Sequence, residues 1–121
     1  MYFKGINEAK SKLSEEKKQV LTTEYRGAEK IGEARLGEKH FFYRPFLSVR
    51  YIPYCEIGHV FMRVESGECG EFPLHEHYMV LICNGQEHKL RFERPEHIKK
   101  LLQSLQEKNP DLLVGFHKNG I

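Results

Sequence analysis

Helical periodicity marks the N-terminal part of the chain. Residues 6–21 contain many Lys and Glu residues, neither Gly nor Pro, and apolar residues such as Leu13 and Leu21 spaced roughly along one helical face. The segment predicts a helix, with Asn7 as a candidate N-cap. Residues 22–32 include two glycines and show little pattern, so we interpret them as a connection to the first strand.

Further along, the spacing shifts towards the two-residue alternation of strands. Aromatic and β-branched residues gather in short runs bounded by Gly, Pro and Ser. In the third run the alternation places Val60, Met62 and Val64 on one face, which we expect to face the core. The runs predict strands at residues 33–44, 48–54 and 59–65.

An acidic segment and a hairpin follow. Residues 66–76 hold two glycines, a proline and several Glu residues without Lys or Arg, and this composition predicts a solvated loop. The dipeptide Asn84-Gly85 then separates two alternating runs, residues 78–83 and 86–92. Because both residues tolerate the positive φ angles of a two-residue type I′ turn, these runs predict a β-hairpin.

The C-terminal part predicts a second helix. Pro95 stands in the first turn, where a missing N–H is tolerated, and Asn109-Pro110 ends the pattern. One apolar stripe between them predicts an amphipathic helix over residues 95–108 that packs on the sheet. The short apolar tail at residues 111–116 is expected to lie along the sheet. The stripe consists of Ile98, Leu101, Leu102 and Leu105.

Composition and charge exclude several classes of protein. A length of 121 residues suits one domain, and the longest apolar run, residues 79–83, is far short of a membrane span. A formal net charge of +2 with interleaved signs does not provide the basic surface of a dedicated nucleic-acid binder. Since no secretory pattern is visible, we expect a cytoplasmic protein whose three cysteines are reduced, with Cys55 and Cys83 buried.

Several segments together carry a resemblance to a known fold. They are an early strand, a strand with an I-P-Y-x-x-I step, a hairpin arm, a helix and an apolar tail, at residues 36–43, 49–57, 85–92, 96–108 and 109–116. This order resembles the pleckstrin-homology-like (PH-like) barrel of small uncharacterised bacterial proteins. The resemblance covers residues 33–116 and implies a scaffold that binds a protein, a peptide or a lipid headgroup, without catalysis.

We therefore predict an α+β fold. It consists of a bent antiparallel sheet, or PH-like partial barrel, of about six or seven strands, capped by the C-terminal amphipathic helix. With the extra N-terminal helix, the chain divides into a helical extension at residues 1–30 and a PH-like domain at residues 31–121.

A mildly basic region surrounds the predicted turn between the first two strands. Lys39, Arg44 and Arg50 lie around Phe46 and Leu47 in the sequence. If exposed, these residues would contact a partner or an anionic membrane surface. Alternatively Phe46 and Leu47 pack inward in an ordinary strand connection, which is the interpretation we favour.

Seven histidines and three cysteines raise the question of a metal site. Cys69, His75 and His77 come closest to a zinc-binding set, but the chain has no C-x-x-C and no H-E-x-x-H motif. A Cys55–His59 nucleophile pair lacks an orienting third residue. A single Asp and the absence of a Gly-rich phosphate motif disfavour Ser-His-Asp and nucleotide chemistry.

Two functional hypotheses follow. The first is a non-catalytic interaction module, without a cofactor, that adds a peptide strand of a protein partner to an exposed sheet edge beside the terminal helix. The second is a zinc-dependent enzyme or ligand-binding protein that uses His75, His77 and Cys69. Of these two hypotheses we expect the interaction module. A homo-oligomer is compatible with either of them.

Overall fold

Strands make up most of the regular structure. The computed structural model describes residues 2–6, 14–44, 47–69 and 72–115, with the backbone alone at residue 2, at 66–69 and at 72–74. The chain divides into two compact units, Met1–Glu56 and Ile57–Ile121. A short 3-10 helix, Tyr54–Glu56, ends the first unit. The remaining elements are β1 (Tyr2–Gly5), α1 (Glu15–Gly27), β2 (Glu29–Ile31), β3 (Ala34–Leu36), β4 (His40–Tyr43), β5 (Ser48–Pro53), β6 (His59–Cys69), β7 (Phe72–Cys83), β8 (Gln86–Phe92), α2 (Pro95–Lys108) and β9 (Leu113–Gly115).

The first unit contains a five-stranded sheet in the order β1-β5-β4-β3-β2. Strands β2 to β5 pair antiparallel, whereas β1 pairs parallel with β5, from Tyr2 opposite Ser48 to Gly5 opposite Tyr51. The sequence did not predict β1, because four residues are too few to show an alternating pattern. Pairing with a strand that is distant in sequence makes this segment a strand.

Helix α1 is joined to the sheet by an aromatic core. Leu21 and Tyr25 of the helix are buried with Phe3, Phe42 and Tyr51 of the strands. The ring centroids of Tyr25 and Phe42 lie 5.3 Å apart at an interplanar angle of 79°, an edge-to-face arrangement. Because α1 has few apolar residues, this tertiary burial provides most of the stability of the helix.

The N-terminal helix begins later than the sequence pattern indicates. Its first residue is Glu15, and the hydroxyl of the N-cap residue Ser14 accepts a hydrogen bond from the Lys17 amide at 3.2 Å. Ile6 lies in the turn after β1 and is buried, so the prediction that the helix begins there is wrong. The predicted N-cap, Asn7, lies outside the described residues.

The same helix also ends later than predicted. Residues 22–27 continue α1 and are not the expected connection. The reason is tertiary, because Tyr25 lies one turn after Leu21 and buries its ring against the sheet. The predicted division into residues 1–30 and 31–121 stays a prediction.

The second unit contains a four-stranded sheet in the order β8-β7-β6-β9. Strands β6, β7 and β8 pair antiparallel, and β9 pairs parallel with β6. The predicted hairpin is confirmed, since Asn84 and Gly85 have φ angles of 53° and 78° and Cys83 pairs with Gln86. The described part of the C-terminal tail lies along the sheet as expected, with Leu113–Gly115 forming β9.

The terminal helix α2 matches its prediction. It spans Pro95–Lys108, with Pro in its first turn, and it contacts β6, β7, β8 and β9. Its apolar stripe is at most 1 % exposed. The buried stripe residues are Ile98, Leu101, Leu102 and Leu105.

Most of residues 66–76 form strands, so the predicted solvated loop is wrong. Strands β6 and β7 extend through the segment as a long hairpin. Acidic residues in and beside it have basic partners on β8: Lys89 Nζ lies 2.9 Å from Glu65, and Arg91 Nε lies 3.6 Å from Glu76. Because these basic residues are distant in sequence, the local composition does not show that the acidic charges are balanced.

The α+β class is confirmed, and the sheet arrangement is consistent with the predicted partial barrel, although the strands are divided between two sheets. In place of one bent antiparallel sheet, the described residues form two sheets of five and four strands. Neither sheet closes into a barrel within this part of the chain, and one strand pairing in each sheet is parallel. No helix among the described residues combines the length and the apolar character needed to cross a membrane.

Candidate functional site

Strand β6 is longer than the strand that lies beside its outer edge. Strand β9 pairs with β6 only at residues 59–61, whereas β7 accompanies β6 along its full length. Within the described chain, no strand lies beside β6 beyond residue 61 on the β9 side. We call residues 62–65, whose side chains are described, the open edge of β6.

Peptide groups of the open edge point outward at alternate residues. The amide of Leu113 in β9 donates to the carbonyl of Gly58 at 3.3 Å, which places that carbonyl on the β9 side. In this parallel pairing Leu113 lies opposite His59 and bonds to the residues on either side of it. Val60, Met62 and Val64 therefore direct their N–H and C=O groups away from β7, whereas Gly58 is irregular because its own amide donates to Ile82 of β7. Val60 lies beside β9, but Met62 and Val64 have no strand opposite them among the described residues.

One face of the open edge changes from buried to exposed along the strand. Met62 and Val64 share a face with Val60 because they lie at alternate positions. Val60 is fully buried, whereas Val64 is 49 % exposed. Val64 lies opposite His77 of β7, and His75 occupies the next position of the same face. This face therefore offers a partly exposed apolar surface that is bordered by two imidazoles.

The opposite face carries charged groups that turn away from the edge. Arg63 donates two hydrogen bonds to the Glu87 carboxylate, at 2.8 and 3.2 Å, and Lys89 donates one to Glu65 at 2.9 Å. Both partners belong to β8, on the far side of β7. Charged side chains often protect an edge strand from pairing, but here Arg63 and Glu65 extend inward across the sheet.

These ion pairs keep their charges at neutral pH. The hydrogen bond from Arg63 lowers the pKa of Glu87, and the hydrogen bond to Glu65 raises the pKa of Lys89. Because all four side chains are solvent-exposed, the pairs contribute little to stability. Their effect is to hold the charged groups of residues 63 and 65 over the sheet.

Comparison with known proteins identifies a family for this chain. A family model with the description "Domain of unknown function (DUF6709)" matches residues 2–120. The chain belongs to the DUF6709 family. No curated protein and no solved structure matches the sequence. The description of the DUF6709 family contains neither a reaction nor a ligand, so the functional proposal rests on the geometry of the site.

The predicted partner-contact residues of this DUF6709 chain lie in the first unit. Lys39, Arg44 and Arg50 are exposed, and Leu47 is 69 % exposed. The favoured interpretation that Leu47 packs inward is therefore wrong, because its side chain reaches solvent immediately before β5. Phe46 lies outside the described residues. Contact of this region with a partner or a membrane stays a prediction.

The histidine pair of the zinc hypothesis lies beside the open edge. His75 and His77 occupy alternate positions of β7 and therefore share a face. Within the described residues, no group of three His, Cys, Asp or Glu side chains is arranged to hold a metal ion. The backbone of Cys69 pairs with Phe72, but its side chain lies outside the described residues. The zinc alternative stays a prediction.

The two described cysteines differ in exposure. Cys83 is buried at the end of β7, as expected for a small hydrophobic residue. Cys55 is exposed, so its predicted burial is wrong. The 3-10 helix that follows β5 places Cys55 at the surface.

Sequence reasoning assigned Val64 to the core and missed the open edge. The alternation correctly groups Val64 with Val60 and Met62, but exposure depends on where the neighbouring elements end. Strand β9 has three residues and β6 has eleven. The shortness of the apolar tail at residues 111–116 is the signal that could have indicated an incompletely covered edge.

Proposed function

We propose that this DUF6709 protein is a non-catalytic, cytoplasmic interaction module on a PH-like scaffold that binds an extended peptide segment of a partner protein. The observation that supports this function is the difference in length between β6 and β9. The partner segment pairs with the open edge, in line with β9. The order of strands followed by one terminal helix supports the PH-like scaffold.

Main-chain pairing supplies the sequence-independent part of the affinity. Met62 and Val64 together offer two N–H donors and two C=O acceptors. Each net hydrogen bond contributes about 0.5–1.5 kcal/mol, so four bonds provide on the order of 4 kcal/mol. Ordering of the peptide and loss of its translational freedom offset much of this gain. Side-chain contacts therefore decide which segments bind.

The side chains beside the open edge favour a particular peptide pattern. Because Val64 is half-exposed and Met62 is partly buried on the same face, a peptide residue on that face gains from being apolar. On the neighbouring strand β7, His77 lies opposite Val64 and His75 at the next position of the same face. A carboxylate or another hydrogen-bond acceptor two positions from the apolar peptide residue suits these imidazoles.

The substitution Val64→Pro tests the pairing directly. It removes one outward N–H and places a ring where the partner strand lies, while the hydrogen bonds between β6 and β7 remain because residue 64 points away from β7. The probe is an eight-residue peptide selected from a phage-displayed random library against the full chain. We expect Val64→Pro to weaken its binding by at least about tenfold, equivalent to about 1.4 kcal/mol.

Val64→Thr is the matched control, since it keeps the N–H and the β-branched shape, and its affinity should stay within about threefold of wild type. Hydrogen exchange provides the second measurement. The amides of Met62 and Val64 should exchange rapidly in the free protein and become protected in the complex. Failure to select any binding peptide, protection confined to other amides, or wild-type affinity in Val64→Pro would each overturn the proposal.

A further inference from the structure

A groove of about 750 Å³ lies along α1 in the first unit. One wall is a stripe of helix residues about one turn apart, and the other wall is the turn between β3 and β4. The lining residues that matter for binding are Glu16, Val20, Glu24, Gly27, Glu38 and Lys39.

The turn that forms the second wall is tied to the helix by Glu24. The Glu24 carboxylate accepts hydrogen bonds from the amides of Lys39 and His40, at 2.8 and 2.7 Å, and lies 2.8 Å from His40 Nδ1. The Glu24 side chain is only 11 % exposed. Its hydrogen-bonding capacity is therefore largely used within the protein, and the wall is formed before any ligand binds.

Two further contacts hold the same turn. The Tyr54 hydroxyl donates to the Gly37 carbonyl at 2.6 Å, and burial together with the charge of Glu24 raises the pKa of Tyr54, so the hydroxyl keeps its proton. A Cβ atom at Gly37 would overlap the Glu24 side chain. A side chain at this position would therefore displace the Glu24 carboxylate that joins the helix to the turn.

The helix wall has an apolar centre and open space at one end. Val20 is 62 % exposed and lies on the side of α1 that faces away from the buried Leu21 and Tyr25. A Cβ atom at Gly27 would have no atom within 4 Å. An occupant can therefore place an apolar side chain against Val20 and approach the helix backbone closely near Gly27.

We infer that this groove binds an amphipathic basic helix of a partner protein, at a surface distinct from the open edge of β6. The described lining contains three Glu and one Lys, and since Glu24 is engaged internally, Glu16 and Glu38 are the carboxylates that face a ligand. Their charge attracts Lys or Arg and repels acidic segments. The peptide groups of α1 are paired within the helix, so the occupant must satisfy its own backbone, as a helix does.

The spacing of the carboxylates specifies the recognised pattern. Glu24 lies eight residues after Glu16 on α1. Glu38 belongs to the turn whose Lys39 amide donates a hydrogen bond to Glu24, so we take the Glu16–Glu24 separation as the approximate spacing of the two outward carboxylates. At about 1.5 Å per residue this separation is about 12 Å along the axis. A partner helix matches it with basic residues seven or eight positions apart and an apolar residue midway between them, opposite Val20.

The test uses a fluorescein-labelled, alanine-based helical peptide of about 18 residues. It carries two Lys residues eight positions apart with Leu midway, and its binding to the full chain is measured by fluorescence anisotropy. The double substitution Glu16→Lys, Glu38→Lys should weaken binding by at least about tenfold. A peptide with Glu in place of both Lys residues should bind this double variant and not the wild type.

Glu15→Lys is the matched control. Glu15 lies in the same helical turn as Glu16 but lines the neighbouring depression and not the groove. The substitution makes the same change of charge and should alter affinity by much less than the double substitution, by less than about twofold. The variant Val64→Pro, which alters the open edge of β6, should bind the Lys peptide with wild-type affinity. The inference would be overturned if the wild type did not bind the Lys peptide, or if Glu15→Lys weakened binding as much as the double substitution. It would also be overturned if the Glu peptide did not bind the double variant. A homodimer in sedimentation velocity that Val20→Ala abolishes would assign the groove to a second copy and would overturn it as well.

Discussion

Replacing Glu24 by Ala removes the acceptor that holds the turn between β3 and β4. In the structure this carboxylate accepts from two backbone amides, those of Lys39 and His40, and from His40 Nδ1 when that nitrogen carries a proton. The side chains of Glu24 and His40 are 11 % and 16 % exposed. The substitution therefore leaves three polar groups without their partner in a region that water reaches only partly.

The expected cost follows from these three contacts. A hydrogen bond to a charged group contributes about 1.5–3 kcal/mol net, and the partial exposure favours the lower end of that range. At about 1.5 kcal/mol for each of the two amide bonds and up to the same for the His40 side chain, we expect Glu24→Ala to lower the free energy of unfolding by about 3–4.5 kcal/mol. Glu24→Gln keeps an oxygen for the two amides and presents an N–H to a neutral His40 Nδ1, so its expected cost is only about 1–2 kcal/mol.

Urea unfolding followed by circular dichroism measures the free energy, and hydrogen exchange at the Lys39 and His40 amides shows whether the turn itself is released. Glu16→Ala, at an exposed position of the same helix, serves as the control and should cost no more than about 0.5 kcal/mol. A loss in Glu24→Ala as small as that of the control, with unchanged amide exchange, would refute the reasoning.

Two further predictions concern pH and packing. Burial and the charge of Glu24 raise the pKa of Tyr54 above its ordinary value of 10.0, so the folded state retains a proton that the unfolded state loses. The free energy of unfolding should therefore fall as the pH rises above about 10, and Tyr54→Phe should flatten this dependence in urea titrations; a slope equal to that of wild type would contradict the assignment. Leu105→Ala in α2, at a residue 1 % exposed, should cost about 3 kcal/mol in the same assay. Leu113→Ala, at a residue 65 % exposed, should cost less than about 0.5 kcal/mol, and equal losses for the two would show that α2 does not pack as described.

Elements with local signals were predictable from the sequence. The turn at Asn84-Gly85 depends on the backbone conformations that these two residues tolerate, and their φ angles are positive as expected. Helix α2 shows its start, its end and its apolar stripe within fourteen residues. In both cases the determining interactions lie within a few residues along the chain, so a local pattern contains them.

Elements that depend on distant partners were not predictable in this way. Strand β1 exists through its parallel pairing with β5, and the last turns of α1 are helical because Tyr25 reaches the sheet. Most of the acidic segment at residues 66–76 forms strands of a hairpin that has compensating charges on β8, such as Arg91 near Glu76 and Lys89 near Glu65 beside the segment. The energies that decide these segments come from residues far away in sequence, which a local window omits.

The candidate site shows the same division. Alternation alone grouped Val60, Met62 and Val64 on one face, but residues 66–76 were expected to form a loop, so the position of His75 and His77 on one face of β7 came only from the structure. Alternation could not show that, in the described part of the chain, β9 accompanies β6 only as far as residue 61, nor that Arg63 extends across the sheet to Glu87. The first depends on the relative lengths of two strands, and the second on the order of strands in the sheet.

By itself the sequence determined the α+β class, the hairpin, the terminal helix and the faces on which apolar residues lie, because helical and strand periodicities are properties of neighbouring residues. Only the tertiary structure decided which edges remain uncovered, which carboxylates are engaged internally and which apolar residues reach solvent. Val64 and Glu24 are the clearest cases, since the exposure of the first and the hydrogen bonds of the second arise from chain segments that meet only after folding.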